Sequence, residues 1–220
     1  TLASLVIEPP HSLLVQSYAP TDMRGGGTVN ADGFGAGWYV SEVPGYSREF
    51  RSRPVLYRRD APMWTDASFL DLARAVETTA LVAAVRSATV GMPVSTAACA
   101  PFRGDGWLFS HNGVVRGWPD AVAGLAAELP VTELLTLDAP TDSAFLWALT
   151  RARKGDLAAV VTDVLKASPG SRLNLLLTDG ETITATTAGH ALSVRHGHGE
   201  VLISSEPLDD DPGWRPVPDR

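Results

Sequence analysis

Residues 81–89 read Leu-Val-Ala-Ala-Val-Arg-Ser-Ala-Thr. The unbroken apolar run Leu81 to Val85, short and closed by an arginine, predicts a buried strand. A second short strand is expected at Trp107 to Ser110, ending in His111-Asn112-Gly113. Upstream, GFGAGWYV at Gly33 to Val40 predicts a strand from about Phe34, and Val43 to Arg59 alternates polar and apolar residues as a strand or hairpin would. Leu2 to Ile7 is a short apolar segment, and Leu13 to Tyr18 suits a short strand or helix. Ser68 to Thr79 places Phe69, Leu72, Ala73 and Val76 at helical spacing behind Asp66 or Ser68 as N-cap. Ala121 to Leu129, Thr141 to Arg153 and Asp156 to Ala167 also read as helices. Arg172 to Thr178, Thr182 to Thr187, Ala191 to Arg195 and Val201 to Ser204 read as a four-strand meander, followed by an acidic, proline-rich tail. Helices grouped in the middle and strands in runs indicate an α+β protein with layered sheets. There is no internal repeat or low-complexity linker, so residues 1–220 are expected to form a single domain.

The chain has 220 residues, 45% hydrophobic and 20% charged, enough to build a core and too apolar for general disorder. No uncharged stretch reads as a continuous apolar span of membrane length, and no basic-then-apolar signal opens the sequence. A net charge of -7 disfavours non-specific nucleic-acid binding, which needs a basic footprint. The single cysteine, Cys99, forms no internal disulfide or thiolate metal cage. The expectation is therefore a cytoplasmic protein in a reducing compartment, without nucleic-acid or membrane partners.

Four local features carry polar chemistry: Asn30-Ala31-Asp32-Gly33-Phe34-Gly35, Arg86-Ser87-Ala88-Thr89, His111-Asn112-Gly113 and Thr141-Asp142-Ser143. Each has an ordinary structural reading. Asn-x-Asp-Gly and His-Asn-Gly are turn signatures, an arginine after a strand suits a surface ion pair, and Thr-Asp-Ser before an apolar run is an N-cap.

Taken together and in order, these features resemble the class II glutamine amidotransferases, a branch of the N-terminal nucleophile hydrolases. The resemblance spans nearly the whole chain. It rests on LLVQSYAP (13–20), NADGFGAGWY (30–39), AAVRSATVGMP (83–93), APF (100–102), LFSHNGVV (108–115), TDSA (141–144) and SSEPLDDDPGW (204–214). Within that group, RSATVGMP and SEPLDDDPGW are similar to the amidohydrolases of ergothioneine biosynthesis, which remove a γ-glutamyl group from a hercynylcysteine sulfoxide conjugate. The resemblance implies a four-layer αββα sandwich, hydrolysis of a γ-glutamyl amide, a small-molecule γ-glutamyl substrate, and no metal or other cofactor. It also implies roles. Arg86 would hold the substrate α-carboxylate and Asp142 its α-ammonium. The Asn112 amide and Gly113 N–H would hold the oxyanion, and Thr89 would wall the pocket. His111 joins the substrate-side residues, ordering the turn more than moving protons. Glu206 and Trp214 would meet the cationic part of the substrate. A glutaminase module feeding ammonia to a synthase, and a glutamyl-binding pseudoenzyme, are the alternatives.

The family nucleophile is an N-terminal cysteine whose own α-amine is the base. This sequence begins with Thr1, which leaves three readings: a preceding segment bearing the cysteine, Thr1 itself as nucleophile, or an inactive form. The family also continues beyond SEPLDDDPGW with another strand, so both ends are expected to extend. Cys99 reads as a small buried hydrophobe. His196-Gly197-His198, with His190 upstream, reads as a glycine-rich turn in preference to a zinc site, and Asp209-Asp210-Asp211 as a solvated loop at the mouth of the site.

Overall fold

A computed structural model describes residues 1–24, 27–40, 54–197 and 199–219. The expected strand or hairpin at Val43 to Arg59 lies largely outside those residues. Its described part is β2 (Val55–Arg59), antiparallel to β1 (Phe34–Trp38), with β3 (Leu81–Val85) on the other side of β1.

Three apolar clusters mark three interfaces between four layers. In the first, α1 (Ala3–Val6), α2 (Leu13–Tyr18) and α3 (Ala67–Ala75) cover the β2-β1-β3 sheet, burying Leu2, Phe34, Met63 and Phe69. Asp66 caps α3 by accepting from the Phe69 N–H at 3.0 Å and also takes the Tyr57 hydroxyl at 2.6 Å. The second cluster joins that sheet to a four-stranded one, through Tyr39, Val82 and Leu108. The Tyr39 hydroxyl reaches the carbonyls of Gly106 and Thr178, 2.8 Å each, and so ties the two sheets together.

The second sheet has the order β4 (Phe102–Gly104), β5 (Trp107–Val114), β6 (Arg172–Thr178), β7 (Ile183–Ala185). The short α4 (Ala123–Ala126) and α5 (Val131–Leu135) precede the two helices of the outer layer, α6 (Asp142–Ala152) and α7 (Leu157–Ala167). In the third cluster Phe145, Leu149, Leu157, Val160 and Val164 of these helices pack on Phe102, Phe109, Leu173, Leu175 and Leu177. The layers therefore run helix, sheet, sheet, helix, as the resemblance implies.

Four local expectations are corrected. His111-Asn112-Gly113 does not turn: β5 runs through Val114, because β6 supplies an antiparallel partner for every residue from Leu108 to Val114. Pairing along a whole strand outweighs local turn preference. The supposed meander is split between sheets. β6 and β7 belong to the central sheet, whereas β8 (Ser193–Gly197) and β9 (Glu200–Ser204) form a third sheet with β10 (Arg215–Pro216) from the tail. The hairpin β4–β5 was not expected, although its two-residue turn Asp105-Gly106 has positive φ at both positions (53° and 83°), the geometry an Asp-Gly pair favours. Finally, β3 is not buried throughout: only Val82 is, and β3 is an edge among the described residues.

Candidate active site

The site grows from two strand ends. At the end of β3, the turn 30–33 grips the chain around Arg86. The Asp32 N–H donates to the Arg86 carbonyl (2.9 Å), the Arg86 N–H to the Gly33 carbonyl (2.8 Å), and the Ala88 N–H to the Asp32 carboxylate (2.8 Å). Asn30 in turn is anchored to α2, its side chain donating to the Gln16 carbonyl at 2.9 Å. The Arg86 backbone is thus held rigidly, while Nη1 of its guanidinium is buried without a hydrogen-bond partner. A buried donor left unsatisfied is costly unless a ligand completes it.

At the end of β5, Asn112 and Gly113 pair with Asn174 and Leu173 of β6. The Leu173 N–H donates away from β5, to the Ala188 carbonyl at 2.8 Å. By the alternation of an antiparallel ladder, Gly113 then directs its own N–H away from β6. The next N–H on that edge, Val115, donates to the Asp142 carboxylate at 2.9 Å. β4 pairs β5 only as far as Phe109, so this edge of β5 is open beyond it. Gly113 is required sterically: it has φ 154°, and a Cβ there would overlap the Arg172 carbonyl oxygen and approach His111 Nε2 to 2.8 Å. Asn112 is exposed and its side chain makes no hydrogen bond within the described protein, so its amide is free to donate.

Asp142 opens α6, behind Thr141 as N-cap, whose hydroxyl accepts from the Ala144 N–H at 3.2 Å. It is buried (6% exposed), and its oxygens accept from Val115 N–H and from Ser143 N–H at 2.8 Å. A carboxylate so placed keeps spare lone pairs for a cation. Arg86, Thr89, His111, Asn112, Gly113 and Asp142 all line one cavity of about 1190 Å³. A guanidinium, a carboxylate and a pair of amide donors around one open space form a receptor for an α-amino acid bearing a carbonyl at its far end.

The family description "glutamine amidotransferases class-II" matches residues 2–211. The chain belongs to this family. This amidotransferase is 45% identical to the γ-glutamyl-hercynylcysteine sulfoxide hydrolase of Mycolicibacterium smegmatis, over all of this chain and 88% of that protein. It is 42% identical to the Mycobacterium tuberculosis (strain H37Rv) protein of the same name, over all of this chain and 85% of that one. In fold it is similar to a glutamine aminotransferase class-II domain protein from Silicibacter pomeroyi, with TM-score 0.61 and 22% identity, covering 86% of this chain and 84% of that one. It also matches the glutamine phosphoribosylpyrophosphate amidotransferase of B. subtilis, with TM-score 0.56 and 14% identity over 80% of this chain and 36% of that one. These neighbours share its layered helix–sheet–sheet–helix fold.

Three expected substrate contacts of the amidotransferase take other roles. His111 lines the cavity, but both ring nitrogens are engaged: Nδ1 with Ser143 Oγ at 2.9 Å and Nε2 with the Arg172 carbonyl at 3.1 Å. A carbonyl only accepts, so Nε2 donates to Arg172. The ring ties α6 to the central sheet. Trp214 is not among the residues lining the cavity. Its indole N–H donates to Asp209 at 2.8 Å and its ring lies under the Arg195 guanidinium at 5.3 Å. Asp209 and Asp211 also hold Arg195, at 3.0 and 3.3 Å, so the acidic run neutralises a neighbour.

Glu206 borders the cavity, but its carboxylate is consumed by the chain: it accepts from Thr21 N–H and hydroxyl (2.9 and 2.5 Å), Asp22 N–H (3.0 Å) and His11 (2.5 Å). Burial alone would raise its pKa. The bonds from Thr21, His11 and Asp22 outweigh that and hold it below the ordinary 4.5. A group with a depressed folded-state pKa stabilises the fold above its unfolded pKa, and that stabilisation disappears as pH falls through the folded value. Replacing Glu206→Gln is expected to lower stability at pH 7 by about 1–3 kcal/mol. It should also flatten the loss of Tm on acidification below the ordinary Glu range. Thermal melts from pH 7 to pH 3 check both.

Cys99 is fully buried, with Sγ 3.3 Å from the Arg59 carbonyl and 3.4 Å from that of Ser95. Burial raises its thiol pKa against the pull of Arg86 and Arg58, which disfavours the thiolate. Thr1 is exposed and is not among the lining residues. The histidine grouping dissolves: His196 lies in β8, His198 lies outside the described residues, and His190 lines the cavity. Sequence reasoning gave no site role to Arg172, to Asp32 within its turn motif, or to His190, which it weighed only with the histidine-rich turn.

Proposed function

We propose that this amidotransferase hydrolyses the γ-glutamyl amide of γ-glutamyl-hercynylcysteine sulfoxide, releasing glutamate and hercynylcysteine sulfoxide. The reading is carried by one observation. A chain 45% identical along its whole length to a hydrolase of that name brings Arg86, Asn112, Gly113 and Asp142 around a single cavity. Arg86 pairs with the α-carboxylate of the glutamyl group and Asp142 with its α-ammonium, leaving the γ-carbonyl at Asn112 and Gly113. The two N–H donors take up the negative charge that forms on the carbonyl oxygen during attack.

The nucleophile is a cysteine thiol delivered along β3. Val82, Ala83, Ala84, Val85 and Arg86 all border the cavity, and successive side chains of a strand point to opposite faces. A cavity touching every one of them runs along the strand edge. Edge strands are ordinarily blunted by charge or proline, and Leu81–Val85 has neither. Ile203 and Ser204 of β9, Leu175 and Leu176 of the central sheet, and Leu13 and Gln16 of α2 border the same cavity. A strand seated there, headed by cysteine, would place its thiol and α-amine beside Asn112 and Arg86. The thiol adds to the γ-carbonyl, the C–N bond breaks, and the amine leaves with the proton held by the α-amine. Water then cleaves the thioester to glutamate and free thiol.

Treatment of the native protein with 6-diazo-5-oxo-L-norleucine, a γ-glutamyl electrophile, tests the assignment by peptide mapping. One adduct on an amino-terminal cysteine is expected. An adduct on Cys99 or Thr1 overturns the nucleophile. Failure to release glutamate from γ-glutamyl-hercynylcysteine sulfoxide overturns the function, and glutamine turned over equally well favours a glutaminase.

A further inference from the structure

The cavity holds a second cationic centre that the glutamyl group does not use. Arg172 sits opposite Val114 on β6, and Asn112 sits opposite Asn174. These four positions share one face of the sheet, and all four border the cavity. Arg172 is therefore one cross-strand pair beyond Asn112, a displacement of about 7 Å along the strand.

Its charge is uncompensated. Arg172 forms no ion pair among the described residues, and its Nε is buried without a hydrogen-bond partner. Burial, together with the neighbouring cations Arg116 and Arg24, pushes its pKa down. Neither neighbour is as free. Arg24 is paired with Asp22 at 2.9 Å and donates to the Gly189 carbonyl, while Arg116 donates to the Gly170 carbonyl at 3.0 Å.

A second orphan lies alongside. His190 is 8% exposed, borders the same cavity, and has a buried Nδ1 without a partner. Its backbone is fixed by Asn174, whose side-chain amide donates to the carbonyls of His190 (3.2 Å) and Ala191 (2.9 Å) and accepts from the Ala188 N–H (2.9 Å). The Arg172 stem lies against Gly189, where a Cβ would come within 3.1 Å of its Cγ. The segment before β8 is thereby pinned beside the guanidinium.

We propose that Arg172 and His190 form an anion subsite for the carboxylate on the α-carbon of the leaving amine. This rests on the reading of the site as a γ-glutamyl amide hydrolase. The amide nitrogen and the α-carboxylate of a γ-glutamyl amino acid are separated by one carbon, a spacing that an arginine one cross-strand pair from Asn112 can span. Glutamine and simple γ-glutamyl amides have no group to place there. The site thus selects conjugates of α-amino acids, and discriminates against ammonia as leaving group by leaving a buried cation unpaired.

The test compares γ-glutamyl-S-methylcysteine sulfoxide with its C-terminal carboxamide, which differ only in that carboxylate. The native protein is expected to favour the acid by about 10–100-fold in kcat/KM, the range of one or two charge-assisted hydrogen bonds. In Arg172→Gln the ratio should fall to within about threefold of unity, and Arg172→Lys should recover part of it. His190→Gln, at a position away from the β5–β6 ladder, supplies an independent variant and should also reduce the ratio. Cleavage of both substrates without preference by the native protein overturns the subsite and leaves the hydrolase reading standing. An equal loss on both substrates in Arg172→Gln likewise overturns it. No glutamate from either substrate or from γ-glutamyl-hercynylcysteine sulfoxide overturns both readings.

Discussion

Asn112→Ala is expected to lower kcat for γ-glutamyl amide hydrolysis by about two to three orders of magnitude, with KM little changed. The amide donates to an oxygen whose negative charge exists only as the thiol attacks, so its removal is felt in the transition state far more than in substrate binding. The fold should not register the change. The Asn112 side chain is exposed and has no hydrogen bond to the described protein, so its loss falls among surface substitutions worth about 0.5 kcal/mol or less. Steady-state kinetics and a thermal melt on one preparation separate the cases. An unchanged kcat removes Asn112 from the oxyanion site. Gly113 offers no such clean test, because any side chain there would overlap the Arg172 carbonyl and disrupt the strand pair.

Arg86→Gln is expected to lower kcat/KM by about 10²–10⁴-fold, mainly through KM, since two charge-assisted bonds to the α-carboxylate are lost. The direction of the stability effect distinguishes binding from architecture. Arg86 Nη1 is buried and unpartnered, and the turn 30–33 is held by the Arg86 backbone, which survives the substitution. Removing an unpaired cation from a partly buried site should leave Tm unchanged or raise it. A fall in Tm of more than about 5 °C, roughly 1.5–2.5 kcal/mol for a domain of this size, would make Arg86 a structural residue.

The contrast between Arg86 and Arg195 shows where local sequence stops being informative. Arg86 follows the last residue of β3, and Arg195 lies within β8. Arg195 meets Glu200, Asp209, Asp211 and the Trp214 ring and is neutralised. Arg86 forms no ion pair among the described residues, and its Nη1 is buried without a partner. Nothing within a few residues of either one distinguishes them, because the acids that settle the matter arrive from elsewhere in the chain. Glu206 and Trp214 were placed at the substrate for the same reason. Their motif borders the site, but His11, Thr21 and Asp22 fill the carboxylate, and Asp209 takes the indole N–H.

The secondary structure divides in the same way. α6 and α7 follow their expected limits closely, because Thr141 and Asp156 cap them from within the segment and their apolar positions repeat at helical spacing. β5 overran its expected end at Ser110, since the partner that keeps His111-Asn112-Gly113 extended is β6, more than fifty residues away. The split of the supposed meander between two sheets has the same origin. Alternation marks a strand but carries no information about its neighbour.

By itself the sequence determined the α+β class, the helices with their caps, and, through ordered motifs, the family; it also singled out Arg86, Asn112, Gly113 and Asp142 as candidates, which the fold brings to one cavity. These are properties of residue type and short spacing. Only the tertiary structure decided which charges are spent and which are free. It engaged His111, Glu206 and Trp214 in internal bonds, left β3 at a sheet edge among the described residues, and left Arg172 Nε and His190 Nδ1 buried without partners at the cavity that Asn112 also lines. Charge neutralisation and hydrogen-bond satisfaction depend on groups meeting across the fold, and strand pairing and layer packing determine which groups meet.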